Sequence, residues 1–353
     1  MPGEPRARRA GRHAALGRFV ARRAAGGLLL VIGITFVAFV LSNLVPADPA
    51  TAALGDRASG DPEIVAAFKE RYGLDEPLPV QYVNYLGRLV QGDFGPSSQT
   101  GQSVSDDLSA AIPATAELAL VAIVLTLVFG IVLGTLAAIH RGRWFDQIVR
   151  VVTLLGASAP SFWLALIAFY LFFFKLGWAP PGGRLDAQEA MPPEVTGLVT
   201  VDALLNGRFA TFWSALWHLL LPSFVLAAYS VSFMVRFTRS AVLEVLGSDY
   251  VLSAYAKGLP KRKVIFGHVL RAALPSVITL TGLAFATLLS GTVLVESIFS
   301  WPGIGEYAYL SSTALDLNAV MGVSIFIAVV YVIVNLVVDL LYGVVDPRIR
   351  VTG

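Results

Sequence analysis

Few side chains in this sequence could do covalent chemistry. There is no cysteine and there are only four histidines, which excludes a thiol nucleophile and any Cys-ligated metal. No Gly-x4-Gly-Lys-Ser/Thr run occurs, so the chain does not cradle ATP phosphates by that device. Energy for any work must come from a partner or an ion gradient. An ion-coupled carrier would bury ionisable groups in mid-membrane. Here Glu117, Glu296, Asp339 and His218 fall near the ends of apolar runs, which predicts that they face interface water. Proton coupling is therefore not expected.

The residues better placed to do mechanical work lie between Arg236 and Arg271. Ser248 or Asp249 offers an N-cap acceptor, Gly258 a helix stop, and Pro260 the start of a second helix. The product is a helix–turn–helix, with Tyr250, Ala254 and Lys257 on one helical face. Small residues at Ser253, Ala254 and Ala256 permit close approach by another protein. One reading lays this pair on anionic lipid through Lys261, Arg262, Lys263 and Arg271. The other makes it a rigid knob fitting a groove in a cytoplasmic partner.

The elements that carry this loop are set by composition. Of 353 residues, 56% are apolar and 14% charged, with a mean hydropathy of +0.71. A soluble domain carries about a quarter charged residues, and disordered chains are poor in apolar ones. The net charge of +2 gives no reason to expect nucleic acid. Six apolar runs are each long enough to cross a bilayer as a helix: 24–45, 114–139, 151–174, 216–237, 275–298 and 319–345. The alternation that a β-barrel requires is absent. The first run is too long for a cleaved secretory signal.

Of the 26 Lys and Arg residues, 19 fall in the tail 1–23, after the second run, in the stretch from Arg236 to Arg271 at and after the end of the fourth, or in the tail 346–353. That bias puts both termini in the cytoplasm. Outside lie an acidic subdomain (46–112), with short helices expected from Pro62 to Tyr72 and around Val80–Gln91, and loops at 175–211 and 299–318. The cytoplasmic loop spans 238–274. In the fifth run Thr279, Gly282, Ala286 and Ser290 form a small-residue stripe. With Thr287 and Gly291 they are candidates for lining a passage. Gly130 and Gly134 give the second run a packing face. Pro160 predicts a kink in the third.

Ser253-Ala254 and Gly258 resemble the Ala-Ala and Gly positions of the EAA coupling loop of bacterial ABC importer permeases. Leu252 stands where that pattern has Glu, and the closing Leu274-Pro275 falls a few residues late. The flanks are similar to dipeptide and oligopeptide permeases of the DppB/OppB type. They include Arg236–Ser240, Glu296–Gly305, Asn335–Arg348, Val45–Pro49 and Gly92–Gly95. The resemblance implies a six-span type I importer permease in the bacterial cell membrane, itself non-catalytic and free of cofactor. Its partners would be a second permease, two ATP-binding subunits holding ATP and Mg, and an external peptide-binding protein. Asp249, Tyr250, Ser253, Ala254, Lys257, Gly258, Leu259 and Pro260 would meet the ATPase. Trp301, Tyr307 and Tyr309 would meet the binding protein. Nickel or glutathione is the alternative cargo. A membrane scaffold or receptor without transport is the more distant alternative.

Overall fold

The computed structural model describes residues 5–44, 50, 54 and 60–345, and most of these are helical. The expectations at Val45–Pro49 and in the tail 346–353 lie outside the described residues. The described chain divides into two compact units, with the boundary inside a helix at Pro113.

The first unit contains α1 (Pro5–Leu44), α2 (Pro62–Tyr72), α3 (Leu78–Val90), the start of α4 (Val104–Ile139), α12 (Ile304–Thr313) and most of α13 (Leu317–Val345). Helix α1 is continuous through the basic lead-in, so no backbone break separates tail from span near residue 24. Helix α2 forms where its caps require it. The Asp61 carboxylate accepts the Glu63 N–H, Pro62 occupies the first turn, and Gly73 closes the helix at φ 64°. Helix α3 is held to α1 by the Tyr82 hydroxyl, which donates to the Ile32 carbonyl and lies 3.0 Å from the Thr35 hydroxyl. Val104, Leu108, Ala111, Ile304, Ala319 and Val323 form a buried core. Buried Asp316 caps α13 by accepting the Ala319 N–H, and it also accepts the Ser97 hydroxyl at 2.6 Å.

The second unit contains the remainder of α4, then α5 (Trp144–Ser158), α6 (Ser161–Lys175), α7 (Val199–Leu205) and α8 (Phe209–Leu246). The chain continues through α9 (Asp249–Ala256) and α10 (Lys261–Lys263). A π-helical stretch, Val264–Val269, then leads into α11 (Leu270–Ile298). The core of this unit includes Leu118, Leu219, Ala284, Leu288, Val295, Phe299 and Trp301.

The kink expected at Pro160 is a full break. Helices α5 and α6 meet at 105°, because Ala159 and Pro160 are both extended (ψ 131° and 138°). Proline removes a helical N–H and drives the preceding residue out of the α region. Gly130 and Gly134 do pack. A Cβ at Gly130 would sit 2.3 Å from Met234, and one at Gly134 would sit 2.7 Å from Thr238 and 2.8 Å from the Val235 carbonyl oxygen.

Among the described residues, α1 from Ala25, α4, α8 and α13 to Val337 are each long and apolar enough to cross a membrane. The bent pair α5–α6 would make a fifth crossing. Leu29 is 71% exposed and Phe36 52%; side chains this apolar are tolerated on such a face when lipid covers them. The protein is all-α and multi-pass. Gly134→Val is expected to lower stability by about 1–3 kcal/mol through overpacking against backbone. Gly33→Val, with nothing within 4 Å of its Cβ position, should leave the unfolding midpoint in detergent unchanged.

Candidate functional site

The segment from Leu246 to Val269 folds into a knob with its own interior. Ser248 is the N-cap of α9, but its hydroxyl donates back to the Val245 carbonyl. The expected acceptor role of a cap side chain is therefore absent. Gly258 sits at φ 75° with nothing near its Cβ position, so conformation alone requires glycine there. Its N–H donates to the Tyr255 carbonyl and the Leu259 N–H to Ala254, closing the helix. Pro260 serves as N-cap of α10 rather than as its first residue.

Val251, Ala254, Val264 and Val269 are buried together with Ala138 of α4, Val242 of α8 and Ala273 of α11. Three long helices thus grip the knob. Tyr250, Ala254 and Lys257 do not form one outer face, because Ala254 turns inward to this core while the other two are exposed. The outer surface is instead Tyr250, Leu252, Ser253 and Tyr255, followed by exposed Lys257, Pro260, Lys261, Arg262 and Lys263. It is a half-apolar patch with a basic edge.

Beside the knob, buried Asp146 of α5 receives Arg239 of α8 through two hydrogen bonds, at 2.7 and 2.9 Å. It also accepts the Gly142 N–H at 2.9 Å. This pair ties the turn between α4 and α5 to α8.

At the far end of the same helices, about 35 Å along α11 at 1.5 Å per residue, lies a buried polar cluster. Glu117 is 3% exposed and Glu296 fully buried, which corrects the expectation that both meet interface water. Arg184 donates to Glu117 at 2.6 Å and to the Gly197 carbonyl at 3.1 Å. The Thr200 N–H and hydroxyl both donate to the other Glu117 oxygen. Thr115 donates to Glu296 at 2.7 Å. His218 is likewise buried, its Nδ1 at 2.8 Å from the Ser214 carbonyl oxygen. The burial of Glu117 is tolerated because Arg184 and Thr200 supply donors that its own helix lacks. Asp202 organises that loop. Burial opposes its ionisation, but donors from Thr196, Val195 and Gly197 outweigh this and hold its carboxyl below the usual range.

Trp301 is not available to an outside partner, being 1% exposed. Its indole N–H donates to the Ala114 carbonyl, and the Arg184 guanidinium lies 5.8 Å from its ring centre. In the other unit, Tyr307 is half-buried and its hydroxyl donates to Asp107, while Tyr309 is exposed. Within α11, Gly282 is buried. The side chains at Thr279, Ala286, Thr287, Ser290, Gly291 and Asp339 lie outside the described residues. Sequence reasoning gave Arg184 no role and passed over Asp146, Arg239 and Asp316. Their buried partners are 67, 93 and 219 residues away, so no local signal marks them. Among the described residues, no group of three or more His, Asp or Glu side chains is arranged to hold a metal.

Residues 130–351 match the family described as binding-protein-dependent transport system inner membrane component. Residues 16–119 match the N-terminal component of such membrane proteins. The chain is 45% identical to a probable D,D-dipeptide transport system permease protein of Escherichia coli K12, over 94% of this chain and 97% of the relative. It is 43% identical to a di/tripeptide transport system permease protein of Pseudomonas aeruginosa, over 94% and 98%. Among solved structures, a chain of the inward-facing MetNI methionine ABC transporter is similar at 15% identity and a TM-score of 0.49. That match covers 68% of this chain and 96% of the other.

Arg184→Met leaves the Glu117 carboxylate buried without its cation and is expected to cost about 3–5 kcal/mol. Adding Glu117→Gln removes the stranded charge while keeping an acceptor for Thr200. The double variant should therefore unfold at a higher temperature than Arg184→Met alone, as read by thermal unfolding in detergent.

Proposed function

Since this chain belongs to the binding-protein-dependent transport system inner membrane component family, we propose that it carries di- and oligopeptides inward, driven through the α9–α10 knob. As a member of that family the chain is a non-catalytic permease subunit of an ABC importer in the bacterial inner membrane. In this reading it has six spans, α11 and the bent α5–α6 pair each counting as one, with both termini inside. A second permease completes the path, cytoplasmic ATPases hold ATP and Mg, and an external binding protein delivers peptide. The small residues of α11 line the passage.

The observation that carries this reading is the knob's combination of a closed apolar core with an exposed apolar and basic face. The core makes it stiff, and the exposed face gives it something to grip. When ATP closes the paired ATPases, their grooves displace the knob. Its buried valines then transmit the displacement to α8 and α11 together. A carrier needs only that ATP bias its outward and inward states differently. Peptide as the cargo is supported by the names of the relatives, which are dipeptide and di/tripeptide permeases.

Leu252 is 61% exposed on the knob, so Leu252→Asp should leave folding intact. It is expected to reduce uptake of a radiolabelled dipeptide by about tenfold or more, the loss of a central apolar contact. Co-purification of the ATPase should fall in parallel. Unchanged uptake would refute the coupling role. Nickel or glutathione uptake in place of dipeptide would overturn the cargo assignment. Because the chain has no cysteine, Lys261→Cys provides a single label. It should react with a membrane-impermeant maleimide only in inside-out vesicles.

A further inference from the structure

Arg150 of α5 and Arg236 and Arg239 of α8 line one cleft of about 380 Å³, together with Gln147, Val151, Thr153 and Leu154. Of the three guanidiniums, Arg239 is committed to Asp146. Arg150 and Arg236 are exposed and form no ion pair or side-chain hydrogen bond among the described residues. Asp146 is the carboxylate that faces this group, and Arg239 already holds it in two hydrogen bonds. The cleft therefore keeps two positive charges uncompensated, on adjacent helices that the Arg239–Asp146 pair locks together.

Its setting is apolar. Ile148, Val151, Val152, Leu154 and Leu155 of α5 are each more than half exposed. Val151 and Leu154 belong to the cleft wall itself. A free inorganic anion has no use for such a wall, whereas an anionic lipid matches both parts. Its phosphate suits the paired donors of arginine, and its acyl chains suit the aliphatic face of α5.

We propose that this cleft is a binding site for the phosphate headgroup of an anionic phospholipid of the inner leaflet. Arg150 and Arg236 hold the phosphate, and Arg239 is fixed beside them by Asp146. The inner-leaflet assignment rests on the orientation proposed above. The binding itself does not, since lipid retention in detergent is blind to sidedness and the Lys261→Cys label tests orientation separately. A lipid seated here would brace α5 against α8 next to the knob.

The test is native mass spectrometry of the full-length chain in mild detergent, offered equal phosphatidylglycerol and phosphatidylcholine with matched acyl chains. Wild type is expected to retain the anionic lipid with about a thirtyfold preference, the scale of two basic side chains near a headgroup. Arg150→Gln with Arg236→Gln should bring that preference to parity. Arg150→Lys with Arg236→Lys, which keeps the charge but loses the fork, should recover part of it. Equal retention of both lipids by wild type would overturn the proposal, as would a preference surviving in the Gln variant or absent from the Lys variant. Displacement of the lipid by millimolar inorganic phosphate would overturn it too, by making the site one for free phosphate.

Discussion

Ala138, Val242, Val251, Ala254, Val264, Val269 and Ala273 form a closed apolar cluster beneath the turn at Gly258. Each fully buried valine contributes about 1.5–3 kcal/mol relative to exposure. That is enough to hold a short element which α9 alone, at eight residues, could not hold in water. A loop can displace a membrane helix only if it does not deform first. The cluster meets that condition by fusing α9 and the π-helical stretch Val264–Val269 to the ends of α4, α8 and α11. Any push on the exposed face must then be shared among three helices at once.

At the opposite end of those helices, polar contacts do the holding. Glu117, Arg184 and Thr200 satisfy one another, while Thr115 binds Glu296 near the end of α11 and Trp301 binds the Ala114 carbonyl of α4. A buried ion pair of this kind adds little net stability over an apolar replacement. It does fix the position of the loop 182–200, since a displaced Arg184 would strand a charge. The second unit therefore has an apolar joint at one end and a polar lock at the other, connected by close packing of α4 on α8 at two glycines.

Much of this was legible without coordinates wherever the signal is local. The cap pattern at Asp61, Pro62 and Gly73 yields α2, and Gly258 with Pro260 yields the turn of the knob, because helix stops and starts act within one helical turn. Gly130 and Gly134 announced a packing face. The bend at Pro160 was legible as a position but not as an angle. The 105° turn depends on two successive extended residues; proline keeps Ala159 out of the α region but leaves its own ψ free.

Sequence by itself determined the class of the molecule: long apolar runs, the basic bias of one set of loops, and a helix–turn–helix without catalytic equipment. These follow from hydropathy and short-range stereochemistry, which need no knowledge of distant partners. Only the tertiary structure decided which polar residues are buried and what they do there. Glu117 and Trp301 looked like surface groups because their burial depends on Arg184 and on the Ala114 carbonyl, supplied from far along the chain. Burial is a property of what the fold brings to a side chain, and no window of sequence contains it.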